Sequence, residues 1–236
     1  MNFREGEIIS INKPYKVSSF GALAFVRTRI SKALGVKRVK TGHAGTLDPL
    51  ATGVLILCTG KSTKRIEELQ LKDKEYTATL KFGATTASYD LEHPENEWFP
   101  TEQITEEGIK EALKQFVGDI MQVPPAYSAC NINGKRAYEL ARKDRDVELK
   151  AKQVSISEIE LLNYDDENKL AQIRVVCGKG TYIRSLARDL GLALNSGAYL
   201  TQLCRTRVGQ YKIEDSITFD NFDEWLSKQE LEPYEL

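Results

Sequence analysis

The sequence predicts an α+β fold built on a mainly antiparallel sheet. Three observations predict it: strand-length apolar runs outnumber helical patterns, several of them follow one another directly, and no repeat or low-complexity linker interrupts the 236 residues. A chain of this length is expected to form one large domain over residues 1–212, followed by a short acidic tail at 213–236. With 41% apolar and 28% charged residues, there is enough apolar material for a sizeable core.

In chain order, Glu7 to Asn12 reads as a strand stopped by Pro14. Ser18 or Ser19 caps a helix in which Leu23, Val26, Ile30 and Leu34 recur at helical spacing up to Gly35, with Arg27 and Arg29 off that stripe. Val54 to Cys58 is a short unbroken apolar run and reads as a buried strand, and Gly60-Lys61-Ser62-Thr63-Lys64-Arg65 opens a basic helix. Lys74 to Phe82 alternates, with Tyr76, Ala78, Leu80 and Phe82 on one face and Thr77, Thr79 and Lys81 on the other. Thr105 starts a helix with Ile109, Leu113 and Phe116 inward, and Pro124-Pro125 breaks the chain.

Val154 to Leu162 and Leu170 to Cys177 flank a polar turn at Asp165-Asp166-Glu167-Asn168 and read as a hairpin. Gly178-Lys179-Gly180 then leads into a helix capped by Thr181, with Ile183, Leu186, Leu190 and Leu194 on one face and Arg184 and Arg188 on another. A last strand spans about Tyr199 to Tyr211.

Several function classes drop out. No apolar run reaches the roughly 18 residues that span a bilayer, which argues against a membrane protein. The start, Met1 to Glu7, lacks the apolar core of an export signal, so a cytoplasmic address is expected. Cys58, Cys130, Cys177 and Cys204 are scattered and the chain has 2 histidines, which supports neither a disulfide framework nor a zinc site.

The formal net charge of −1 hides segregation. Between Ile8 and Leu47 stand Lys13, Lys16, Arg27, Arg29, Lys32, Lys37, Arg38 and Lys40 with no acidic residue. Arg174 to Lys212 is basic again apart from Asp189, whereas the segment from Ile213 to Leu236 carries eight acids and one lysine. A phosphate backbone requires such clustering, because counterions are released only where cations gather; solvated helix faces would produce it equally well.

The densest special-residue segment is Thr41-Gly42-His43-Ala44-Gly45-Thr46-Leu47-Asp48-Pro49-Leu50-Ala51-Thr52-Gly53, a glycine-rich loop before the Val54 strand. Asp-Pro on its own is a common turn starter; an aspartate inside such a loop, at the end of a basic stretch, is a candidate for chemistry. Thr59-Gly60-Lys61-Ser62 resembles the end of a phosphate-binding loop. The spacing fails, because Gly53 stands too far upstream and the Val54 strand lies between the two glycines. Lys61 and Lys64 can still meet phosphates.

Gly42 to Leu55 strongly resembles the central motif of the TruB family of tRNA pseudouridine synthases. Four more stretches agree in order: Asn12-Lys13-Pro14, Lys74-Glu75-Tyr76, Pro124-Pro125-Ala126-Tyr127-Ser128-Ala129 and Gly180-Thr181-Tyr182-Ile183-Arg184. The resemblance implies a pseudouridine-synthase fold, with a bent, mainly antiparallel sheet flanked by helices and a central active-site cleft. It also implies isomerisation of the T-loop uridine at conventional tRNA position 55 without metal or organic cofactor. By the same resemblance Asp48 is the catalytic aspartate, Tyr76 the tyrosine that stacks on the flipped uracil, and Arg184 the arginine that pairs with Asp48. His43, Tyr182, Leu203, Lys64 and Lys13 are implied to bind substrate or RNA, with His43 filling the gap that the base leaves. The expected partner is tRNA, through its T arm and T loop, and a monomer is expected.

These residue types suit the reaction. Moving the uracil from an N1–C1′ to a C5–C1′ bond without losing it is a step that a carboxylate can divide in two. An arginine within about 4–6 Å keeps that carboxylate ionised. Extruding the base costs a few kcal/mol, which stacking on Tyr76 and His43 offsets. Leu203 and Ile183 suit an apolar wall or a core equally. The segment 124–152, with Lys135, Arg136, Arg142, Lys143, Arg145, Lys150 and Lys152, suits a grip on RNA.

Two departures stand out. Members of the family commonly continue into a small C-terminal PUA domain, for which the residues after Tyr211 are too few, and Asn131 stands where a lysine is usual. Two rival readings are a tRNA-folding chaperone, from the basic stretches, and a nucleotide hydrolase, from Gly60-Lys61-Ser62.

Overall fold

The computed structural model describes residues 1–128, 131–132, 135–136 and 149–233. Most of the segment expected to grip RNA, including Arg142, Lys143 and Arg145, lies outside the described residues. The chain forms two compact units, one of Met1–Tyr76 with Cys204–Leu236 and one of Thr77–Leu203.

In the first unit, β3 (Thr52–Thr59) is central and seven of its eight residues are buried. β1 (Ile8–Lys13) runs antiparallel along one edge, from Ile8 opposite Cys58 to Lys13 opposite Gly53. The other edge is shared. β2 (Thr41–Ala44) pairs antiparallel with Ile56 to Thr59, while the end of β12 (Ala198–Val208) pairs parallel with Thr52 and Gly53. The expected loop from Thr41 to Gly53 is therefore a strand for its first four residues, because Thr41 to Ala44 find backbone partners in β3.

α1 (Ser19–Ala33) buries Leu23, Val26 and Ile30 as its spacing predicts. Ser18 is the cap, accepting from the Gly21 amide at 3.0 Å. The basic Gly60–Arg65 segment is a 3-10 helix leading into α2 (Ile66–Leu71). Its Gly60 and Lys61 amides bond the carbonyls of Lys40 and Arg4, so they cradle no phosphate.

The acidic segment beyond β13 (Tyr211–Lys212) carries α5 (Phe222–Ser227), whose Phe222 and Leu226 enter the same core as α1. Phe25 stacks on Phe219 at 3.8 Å, and Arg29 both covers Phe25 and bonds Asp223 at 2.9 Å. Part of the basic stretch is thus answered within the chain.

In the second unit the strands are ordered β12, β4 (Lys74–Phe82), β11 (Leu170–Cys177), β10 (Lys152–Asp165), β7 (Gly118–Gln122). β10 pairs antiparallel with both neighbours, as the predicted hairpin requires for β11. β5 (Ala84–Thr86) with β6 (Glu95–Trp98), and β8 (Asn131–Ile132) with β9 (Lys135–Arg136), form two small ladders. The sheet is mixed and mostly antiparallel with flanking helices, an α+β fold.

α3 (Glu106–Leu113) is capped by Thr105 and buries Ile109, Ala112 and Leu113; Phe116 falls in the following 3-10 turn and is half-buried. α4 (Ile183–Ala193) is capped by Tyr182 and not by Thr181, whose hydroxyl donates to the Gly178 carbonyl at 3.3 Å. Arg184 and Ser185 are buried along with Ile183 and Leu186, so the arginine face of this helix is not a solvated one.

Candidate active site

Asp48 sits in the connection between β2 and β3, half-buried. Its carbonyl accepts from the Ala51 amide at 3.1 Å, closing a turn whose second residue is Pro49. The loop opens because the β2–β3 hairpin stops pairing after Ala44 and Ile56, where the end of β12 takes over. Gly45 and Gly53 flank it with φ of +92° and +101°, angles that other residues rarely adopt. At Gly53 a Cβ would also lie 2.2 Å from the Arg205 carbonyl, so glycine is required twice over.

Three buried side chains hold this loop. Ser19 donates to the Leu47 carbonyl at 2.9 Å and accepts from the Leu47 amide at 2.8 Å. Lys13, expected among the RNA-contacting residues, is instead 0% exposed. Its ammonium donates to the carbonyls of Pro14 (3.0 Å), Val17 (2.6 Å) and Pro49 (3.3 Å). Arg205 donates from Nε to the Val54 carbonyl at 2.7 Å and from a terminal nitrogen to the Gly45 carbonyl at 3.2 Å. It therefore bridges both lips of the opened hairpin.

These charges act on one another. Burial pushes the Lys13 ammonium from 10.5 down to about 8, the Asp48 carboxylate opposing and Arg205 adding to the fall. His43, on β2 opposite Leu57, is half-buried. Burial first and Arg205 second hold its imidazole below the usual histidine range, so it is neutral at neutral pH. Its Nδ1 is buried without a hydrogen-bond partner among the described residues. Tyr76 lies on the buried face of β4 with Ala78, Leu80 and Phe82, and Lys64 is exposed on the 3-10 helix. The first unit thus brings Asp48 and Lys13 together beside Arg205.

The second unit holds Arg184, 4% exposed. Its Nε lies 3.7 Å from an Asp90 carboxylate oxygen, and its terminal nitrogens donate to the carbonyls of Ser88 at 3.1 Å and Tyr127 at 2.9 Å. Asp90 accepts from the Ser88 hydroxyl at 2.5 Å and the Glu92 amide at 2.9 Å. Tyr182 is fixed through its backbone, whose amide and carbonyl are both bonded by the Gln122 side chain. Leu203 is half-buried.

Sequence reasoning missed Arg205, Asp90 and the bonds from Ser19 to Leu47. Arg205 has the period of a strand residue and Asp90 reads as loop polarity, so neither carried a signal. Among the described residues, no three His, Cys, Asp or Glu side chains gather as a metal site needs, and no helix is long and apolar enough to cross a membrane.

A family model described as "TruB family pseudouridylate synthase (N terminal domain)" matches residues 31–183, and "tRNA pseudouridylate synthase B C-terminal domain" matches 184–236. A tRNA pseudouridine synthase B of Bacteroides thetaiotaomicron is 59% identical over 98% of this chain and 98% of its own. One of Flavobacterium johnsoniae is 48% identical over 95% and 97%. Among solved structures, one of a Cbf5-Nop10-Gar1 complex matches with a TM-score of 0.70 and 29% identity, covering 95% of this chain and 55% of that one. With a family model over more than half its length and relatives of such identity along nearly all of it, the chain belongs to the TruB family of pseudouridylate synthases.

Proposed function

We propose that this chain isomerises uridine to pseudouridine in tRNA, at the T-loop uridine of conventional position 55, with Asp48 as its catalytic carboxylate. The observation that carries the reading is the mounting of Asp48. It is a half-buried aspartate on a turn that three buried side chains hold from Leu47, Pro49 and the two lips of a hairpin. A group that must meet a substrate atom in one geometry needs such support.

The reaction is an isomerisation and its atoms balance. The N1–C1′ bond breaks and a C5–C1′ bond forms, while C5 loses a proton and N1 carries one in the product. Asp48 divides that transfer into two steps. Arg184 is the guanidinium partner that the family resemblance assigns to that carboxylate, and Asp90, 3.7 Å from its Nε, orients Arg184. Tyr76 stacks on the extruded uracil. The neutral ring of His43 is suited to stacking in the gap left in the loop, since a charged imidazolium would cost more to enclose.

The test is incubation of the purified protein with unmodified T-arm RNA and mapping of pseudouridine. One modified position in the loop is expected, together with an Asp48→Asn variant that binds the RNA and forms none. Turnover by that variant would remove Asp48 from its role.

A further inference from the structure

The acid-free stretch that precedes the Asp48 loop carries two exposed rings that have no part in the reaction. Tyr15 is 48% and Phe20 64% exposed, two large rings left in water within six residues. Each carries a cation on a ring face, Lys16 at 5.5 Å from the Tyr15 centroid and Arg27 at 5.9 Å from that of Phe20. The stretch from Ile8 to Leu47 around them holds no acidic residue.

Their position is set by groups already described. The Lys13 ammonium ties the Pro14 to Val17 turn, which carries Tyr15 and Lys16, to Pro49. Ser19, bonded in both directions to Leu47, immediately precedes Phe20. The backbone segments that carry both rings are therefore tied to the loop that presents Asp48. Lys16 moreover adopts φ +62°, a conformation that glycine takes without cost and lysine does not.

We propose that Tyr15, Lys16, Phe20 and Arg27 form an RNA-binding rim next to the Asp48 loop, where Phe20 takes an unpaired base and the two cations take phosphates. Exposed rings accept bases by stacking whatever their identity, and the adjacent cations neutralise the backbone between them. The inference rests on the RNA-modifying reading above for its substrate, and its readout is binding, not turnover.

The test uses the full chain with Asp48→Asn, an unmodified T-arm hairpin and a loopless RNA duplex as probes. Affinities are measured over a series of salt concentrations. Phe20→Ala should weaken hairpin binding about tenfold and leave duplex binding nearly unchanged, because stacking needs an unpaired base. Lys16→Gly and Arg27→Gln should weaken both and should each lower the salt slope by about 0.7–0.9. Lys16→Gly should keep or raise the melting temperature, since glycine suits the φ.

Unchanged affinities and slopes in all three variants overturn the rim. So does a Lys16→Gly variant that loses affinity only together with its fold, or a Phe20→Ala variant that alters self-association in sedimentation and not RNA binding. A wild-type chain that binds the hairpin through these residues yet forms no pseudouridine would sink the reaction and leave the rim standing.

Discussion

Ser19 holds Leu47 from both sides: the same hydroxyl donates to its carbonyl at 2.9 Å and accepts its amide at 2.8 Å, one residue before Asp48. Ser19 is 2% exposed, so no water replaces either bond if the hydroxyl is lost. Ser19→Ala should destabilise the fold by about 1–3 kcal/mol, the cost of leaving buried polar groups unpaired. Single-turnover conversion should slow by more than RNA affinity falls, because the aspartate loses its alignment. Urea unfolding and rapid-quench assays measure the two effects.

Lys13 makes stability depend on pH. Its ammonium titrates near 8 in the folded protein against 10.5 in the unfolded chain. Between those values the unfolded chain binds the extra proton, so the contribution of Lys13 to stability rises with pH across that window. Lys13→Met should flatten the rise in unfolding midpoints measured above pH 8. A wild-type slope in the variant would place the titration elsewhere.

Asp90 sits opposite Arg184 at 3.7 Å, both nearly excluded from water. Asp90→Asn keeps the shape and removes the charge. Turnover should fall at least about tenfold, or 1.36 kcal/mol of barrier, with tRNA affinity nearly unchanged. Thermal melting should show a folded variant.

Gly53→Ala puts a methyl group 2.2 Å from the Arg205 carbonyl at φ +101°, where the parallel pairing of β3 with β12 leaves no room. Loss of several kcal/mol is expected, the scale of backbone strain combined with overpacking. Soluble yield and melting temperature report it. Gly35→Ala, at φ +65° but with open space around it, should cost about 1 kcal/mol.

Much of the architecture was legible in the sequence because local patterns decide it. The alternation of Lys74 to Phe82 became the buried face of β4, Leu23, Val26 and Ile30 became the core stripe of α1, and Leu170 to Cys177 became β11. The motif around Asp48 identified the family without coordinates. Other features were decided by partners distant in the chain. Thr41 to Ala44 is a strand only because β3 lies beside it, and Lys13 is a buried clamp only because Pro49 offers a carbonyl. Arg205 reaches the Asp48 loop from 157 residues away along the chain, and Asp90 reaches Arg184 from 94 residues away. A sequence records spacing along the chain, which governs hydrophobic faces and caps; hydrogen bonds that close long loops depend on where folding brings the backbone.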